Sequence, residues 1–282
     1  MSFQRERTAA YRTVTGTGRT VICLHSSTSS SKQWQTLTES LSDRYRVVAV
    51  DLYGYGKTVD WPEERLLTLD DEVALFSDII ENSIEPVHLL GHSYGGAVAA
   101  QAALRYGSRI ASLTMYEPVL FRVLGEAGNS AAAASEIAAV ERTVRGKVAE
   151  GRTGEAAWHF INYWSGDGIW ESFADWRQAG LAAKMAKVVS DFDSVRGSDY
   201  SLDRLAQLSV PTLLVNGLAS PRASRRVVEL LLHVLPDASL HSLANVGHMG
   251  PVTHPEKVNA LFADFLEHVA ARRGRARAQR VA

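Results

Sequence analysis

Cysteine is almost absent from this chain. Cys23 is the single one in 282 residues, so no intramolecular disulfide can form and a disulfide-stapled fold is excluded. An excess of either charge is also missing. The 30 Lys and Arg are balanced by 31 Asp and Glu, a formal net charge of -1. That balance argues against a bulk nucleic-acid binder, which needs a clear cationic surplus to meet phosphates. No segment approaches the roughly 18 consecutive apolar residues of a membrane span. The N-terminal stretch MSFQRERTAAYRT carries charges where a signal peptide needs apolar residues, so the expected location is the cytoplasm. Cys/His groups at zinc spacing and paired carboxylates are lacking too, so neither a metal nor any other cofactor is expected. What is present is an ordinary globular composition, 46% apolar and 22% charged. The length suits one α/β domain carrying an insertion.

Short apolar runs alternate with amphipathic stretches, the pattern of a mostly parallel central sheet flanked by helices. Strands are expected at Arg46–Val50, Val87–Leu90, Ser112–Tyr116 and Thr212–Val215, with a half-exposed last strand at Ser239–Leu243. Tyr11–Val14 and Thr20–Leu24, either side of Gly16-Thr17-Gly18, read as an antiparallel hairpin. Helices are expected at Gln33–Ser42, Leu69–Glu81, Gly96–Tyr106, Ala223–Val234 and Pro255–Ala271. Residues 123–208 break the alternation with no convincing strand and with Trp158, Trp164, Trp170 and Trp176, and read as a helical insertion. The core is then 1–122 with 209–271. The last residues, 272–282, hold Arg272, Arg273, Arg275, Arg277 and Arg280 and read as a solvated, flexible basic tail.

The strongest chemical signal is Gly91-His92-Ser93-Tyr94-Gly95, a G-x-S-x-G pattern. It follows the apolar run Val87–Leu90 and opens a small-residue helix, the strand–turn–helix setting such a serine needs. The tight turn strains the serine backbone, the glycines remove colliding side chains, and helix amides favour developing negative charge. Ser93 is therefore the candidate nucleophile.

With these residues in view, the chain resembles the α/β-hydrolase superfamily over nearly all its length except the tail. Cys23-Leu24-His25-Ser26-Ser27 resembles the family's oxyanion loop, which usually reads His-Gly. Asp51-Leu52-Tyr53-Gly54-Tyr55-Gly56-Lys57-Thr58 is similar to its D-x-x-G-x-G-x-S/T loop, so Asp51 is expected to stabilise a turn. Gly247-His248-Met249, with His254-Pro255-Glu256 after it, resembles the terminal histidine loop and final helix. The resemblance implies His248 as general base and the backbone N–H groups of Ser27 and Tyr94 as the oxyanion hole. His25 and Ser26 are expected at the substrate, His25 also as a support of the loop, and the hydroxyls of Ser26 and Ser27 are candidate further donors. His92 is expected to point away from the base position, and His88 to be a core residue.

The third triad member departs from the family pattern. The segment Asn216–Ser224, where an Asp is usual, contains no carboxylate. Some relatives, haloalkane dehalogenases among them, place the acid at the end of the strand before the cap, and here that strand ends Tyr116-Glu117-Pro118. Glu117 is the candidate acid, because an imidazole needs a partner that sets its tautomer. Ser220 as a weak orienting group, or no acid at all, are the alternatives. The insertion resembles the superfamily's helical cap, with Trp164 either walling a substrate pocket or packing the cap. The resemblance implies a serine hydrolase of esters or related acyl compounds, acting on a small molecule. A carbon–carbon bond hydrolase and a non-catalytic small-molecule binding protein are the alternatives.

Overall fold

In the computed structural model the structure describes residues 10–62 and 64–281, with the backbone alone for 276–281. The N-terminal residues 1–9, part of the stretch read for a targeting signal, lie outside the described residues. Seven strands form one sheet in the order β1-β3-β2-β4-β5-β6-β7. They are β1 Arg12–Thr15, β2 Arg19–Leu24, β3 Tyr45–Val50, β4 Val87–His92, β5 Ile110–Tyr116, β6 Thr212–Gly217 and β7 Ala238–Leu243. All neighbours pair in parallel except β1 with β3. Strands β4 and β5 are buried along their whole length, which is why they read as short runs of mostly apolar residues without polar alternation on a solvent face. The edge strand β7 is only half-buried.

The expected hairpin does not form. β1 pairs antiparallel with β3, from Arg12 opposite Val50 to Thr15 opposite Val47, and β2 lies on the other side of β3. The link between them crosses tightly over the start of β3. At Gly16, with φ +80°, a Cβ would come within 2.3 Å of the Tyr45 carbonyl oxygen, so only glycine makes the crossing. The apolar pattern encodes burial, not the partner strand.

The helices are α1 Gln35–Leu41, α2 Leu69–Ala74, α3 Ser77–Asn82, α4 Tyr94–Tyr106, α5 Ala131–Ala149, α6 Thr153–Ser165, α7 Asp175–Ala182, α8 Met185–Gly197, α9 Leu202–Leu205, α10 Arg222–Val234, α11 Gly250–Thr253 and α12 Pro255–Val281. The stretch expected as one helix over Leu69–Glu81 is two. Thr68 caps α2 with a capping box to Asp71, and the chain turns out of helical geometry at Phe76. Arg12 stabilises the break by donating to the Leu75 carbonyl at 2.5 Å while it clasps Asp78. Helices α1 and α12 cover one sheet face through Leu37, Leu41, Val258, Phe262 and Leu266. Helices α4 and α10 lie on the other, with α2 packed on α4, and α5 and α9 packed on α10. Helix α12 continues past Ala271, and Arg272 pairs with Asp237 on the way. The side chains of Arg277 and Arg280 lie outside the described residues. Among the described residues no helix is long and apolar enough to cross a membrane.

Candidate active site

Ser93 sits at the junction of β4 and α4 with φ 55° and ψ -116°, a strained backbone for a side-chain-bearing residue. The surroundings hold it there. Its N–H donates to the Tyr116 carbonyl at 3.0 Å, and its carbonyl accepts from Gly96 and Ala97 in the first turn of α4. Gly95 is required by close approach, since a Cβ there would lie 2.2 Å from the Leu24 carbonyl oxygen.

Three side chains from distant parts of the chain meet at this turn. His248, on the loop after β7, has its Nε2 2.9 Å from Ser93 Oγ and its Nδ1 2.7 Å from Glu117 Oε2. Glu117 follows β5, is fully buried, and itself has a positive φ of 44°. Its other oxygen, Oε1, accepts from the Gly217 N–H at 2.7 Å and from the Ser220 hydroxyl at 2.5 Å. The acid-free loop after β6 therefore supplies donors that orient a carboxylate from β5. Serine, imidazole and carboxylate form one continuous hydrogen-bonded line, in which the imidazole can take a proton from the hydroxyl while the carboxylate faces its far nitrogen.

The histidine is held from several sides. His92 Nε2 is 2.8 Å from the His248 carbonyl oxygen and donates to it, and His92 Nδ1 meets the Gln33 amide at 3.1 Å. Burial, and next the neighbouring His248, hold the His92 pKa well below the usual range, so its ring stays neutral and keeps this arrangement. Tyr116 donates to the Gly247 carbonyl at 2.7 Å. Trp164 lies over the His248 ring, centroids 4.1 Å apart, and is buried.

Ser27, Ser93, Tyr94 and Trp164 line one cavity, with Val119, Phe121, Phe160 and Phe192 among its apolar walls. Its volume is about 20 Å³, room for about one water molecule. Tyr94 is the first residue of α4, where backbone N–H groups lack helical partners. Ser26 and His25 do not line this cavity. The Ser26 N–H and hydroxyl both meet Gln33 Oε1, at 3.1 and 3.0 Å. His25 is fully buried behind the loop, its Nδ1 2.7 Å from the Ser26 carbonyl oxygen and its Nε2 accepting from the Leu52 N–H at 3.1 Å. Burial lowers its pKa to about 4, so it is a neutral strut, not a group facing substrate. The Ser27 hydroxyl is also committed, donating to Asp191 Oδ2 at 2.5 Å. Asp51 accepts from the Ser31 and Lys57 N–H groups and so ties the two adjacent loops together. His88 is a core residue, 2.7 Å from the Ser112 hydroxyl. Of the four insertion tryptophans, Trp158 and Trp176 are exposed, and Trp170 is buried but does not line this cavity. Among the described residues no group of His, Cys, Asp and Glu could hold a metal ion.

Gln33, His92 and Asp191 carry no motif signal of their own. A clue to Asp191 is present only in its i,i+4 spacing from Lys187 on one helix face.

A strained serine between strand and helix, backed by histidine and a carboxylate on a mostly parallel sheet, is the architecture of hydrolases built on this fold. The alpha/beta hydrolase family model matches residues 21–261, and the chain belongs to that family. It is similar to the dihydrolipoyllysine-residue acetyltransferase component of the acetoin cleaving system of Cupriavidus necator, at 29% identity over 262 residues. That match covers 89% of this chain but 64% of the relative, so the chain spans less than two thirds of that protein's length. It is also similar to the 2-hydroxy-6-oxo-6-(2'-aminophenyl)hexa-2,4-dienoic acid hydrolase of Metapseudomonas resinovorans, at 24% identity over 90% of this chain and 86% of the relative. A thermophilic esterase from Thermogutta terrifontis shares the fold, with a TM-score of 0.72 at 20% identity, covering 92% of this chain and 93% of that one.

Proposed function

We propose that this protein is a serine hydrolase that cleaves an ester or related acyl bond through an acyl-enzyme. The observation that carries this reading is the pair of contacts linking Ser93 Oγ, His248 and Glu117 at 2.9 and 2.7 Å beside a mostly apolar cavity. Ser93 Oγ attacks the carbonyl carbon while His248 Nε2 takes its proton. The oxygen that becomes negative is met by the N–H groups of Ser27 and Tyr94. Collapse breaks the bond to the leaving group, which departs with the proton from His248. A water activated by the same nitrogen then hydrolyses the acyl-enzyme and frees Ser93. Glu117 stabilises the imidazolium that forms at each step. Residues 123–208 act as a cap over the site, with Trp164 as the cap residue that touches both His248 and the acyl group.

A second reading is favoured by the Metapseudomonas relative, named as a hydrolase of a dienoic acid. The same three residues would serve carbon–carbon bond hydrolysis. Labelling by a fluorophosphonate of the wild type but not of Ser93→Ala tests for the nucleophile and separates enzyme from binding protein. Product analysis on an ester panel and on a vinylogous diketone separates the two hydrolytic readings.

A further inference from the structure

The insertion reaches into the site through a buried charged network that the catalytic reading leaves unused. Helix α8 presents Lys187, Asp191 and Ser194 along one face toward the core, at i, i+4 and i+7. Asp191 Oδ2 accepts from the Ser27 hydroxyl at 2.5 Å and from the Tyr55 hydroxyl at 2.6 Å, and Lys187 pairs with Oδ1. Lys187 also donates to Glu72 Oε1 at 3.1 Å, and that oxygen accepts from the Tyr94 hydroxyl, itself 2.8 Å from Ser194 Oγ. The network thus ends on the side chains of Ser27 and Tyr94, the two residues whose backbone N–H groups face the developing oxyanion. Burial works against the charge on Lys187, but Asp191 and then Glu72 outweigh it and raise the pKa. Burial likewise raises the Glu72 carboxyl despite Lys187.

The Ser27 loop needs holding. Residues 26–29 form a turn closed by the Ser29 N–H donating to the Ser26 carbonyl at 3.2 Å, and its third residue, Thr28, has φ 62°. Glycine is the residue such a position favours, and a β-branched side chain there is strained. Among the described residues no acceptor meets the Ser27 N–H within the turn. A charge-assisted hydrogen bond is about twice as strong as a neutral one, which suits the Asp191 contact to keep a strained loop in one position.

We propose that Asp191, braced by Lys187, is a positioning residue that fixes the Ser27 end of the oxyanion hole, so that docking of cap helix α8 completes the catalytic site. The proposal rests on the serine hydrolase reading. The cavity between α8 and Ser93 holds about one water molecule, so an acyl substrate needs it widened, and in this proposal α8 moves to widen it. Displacing α8 carries Asp191 off Ser27 and leaves the strained turn without its clamp. Redocking over bound substrate restores it. Catalytic competence is thereby coupled to closure, which limits attack by Ser93 while the site is open to solvent.

The test is a double-mutant cycle on Ser27→Ala and Asp191→Asn, read as kcat and KM on a short-chain p-nitrophenyl ester, with melting temperature as a check of folding. Ser27→Ala removes one oxygen and keeps the backbone N–H, so it preserves the fold even if Asp191→Asn does not. Loosening one oxyanion donor costs less than removing it. Each single variant should lose about tenfold or more in kcat with KM within about threefold, and the double variant should lose no more than the worse single. Three results would overturn the proposal: Ser27→Ala with kcat within about twofold of wild type, losses that multiply in the double variant, or a rise in KM alone. Failure of the hydrolase reading would show separately, as wild-type protein that takes up no fluorophosphonate, and would take this proposal with it.

Discussion

Glu117 and Ser220, 103 residues apart, are joined by a 2.5 Å hydrogen bond. Through it the loop after β6, which contains no carboxylate, orients one that comes from β5. The Gly217 N–H on the same carboxylate oxygen completes the clamp, leaving Oε2 for His248. Glu117→Gln keeps the shape and removes the charge that would stabilise imidazolium. By analogy with Asp→Asn in a serine triad, kcat should fall by about 10³–10⁴ with KM little changed. Ser220→Ala leaves the carboxylate in place but loosens it, and should cost only about tenfold or less. Near-normal turnover in Glu117→Gln would return the residue to a purely structural role.

Ser93→Ala should abolish turnover, by about 10⁴-fold or more, with an unchanged melting temperature. The expectation of an intact fold has a specific basis. The bonds that hold this turn run through the Ser93 backbone, to Tyr116, Gly96 and Ala97, and among the described residues the hydroxyl meets only His248. Alanine keeps all the former. Retention of more than about a tenth of wild-type activity in pure protein would remove Ser93 from the nucleophile role.

Trp164 does two things at once, so its removal should have two separable effects. Its ring lies 4.1 Å from that of His248 and packs against Phe121, Phe160 and Tyr163 while lining the Ser93 cavity. Trp164→Ala should cost about 3–5 kcal/mol of stability in denaturant unfolding, the usual range for a buried tryptophan. It should also enlarge the cavity beside Ser93 and shift relative kcat/KM toward bulkier acyl groups. A uniform loss across an ester series would leave packing as its only role.

The sheet was legible because parallel strands buried on both faces appear as apolar runs, and Val87–His92 ends in a motif that requires a strand before it. The meeting of Ser93, His248 and Glu117 was legible for a different reason. The loop from Asn216 to Ser224 lacks an acid, and the resemblance to the α/β-hydrolase superfamily implies His248 as base and the end of the strand before the cap, where Glu117 stands, as the other place for a carboxylate. The β1–β3 pairing was not legible, since burial periodicity says nothing about which strand lies alongside. Nor was the Lys187–Asp191 pair. Oppositely charged residues at i,i+4 read as a solvated helix face, and only the docking of α8 over Tyr55 and Ser27 buries them. Ser26 and His25 were expected at the substrate because they lie on the right loop. Gln33, which turns Ser26 inward, carries no motif, and His25 is turned inward by the backbone N–H of Leu52, which no side-chain pattern marks.

The last prediction concerns acid. His25, His88 and His92 are all buried and all held below the ordinary imidazole value of 6.5, His25 to about 4 and His88 to about 3, with burial the first cause in each. Above pH 7 these rings are neutral in both folded and unfolded chains and contribute no pH dependence. As pH falls through 6.5 the unfolded chain takes up their protons and the native protein does not, so falling pH favours unfolding. For His25 and His88 the loss amounts to about 2 kcal/mol each by pH 5, with His92 adding in the same direction. It continues until the folded values are reached, near pH 4 for His25. Urea unfolding between pH 7 and 5 should therefore show stability falling with a slope of two to three protons. His88→Asn keeps a polar partner for Ser112, 2.7 Å away in the wild type, and should lower that slope by about one proton. A flat profile over this range would mean that these rings take up protons in the native state, and the neutral struts assigned to His25 and His92 would have to be withdrawn.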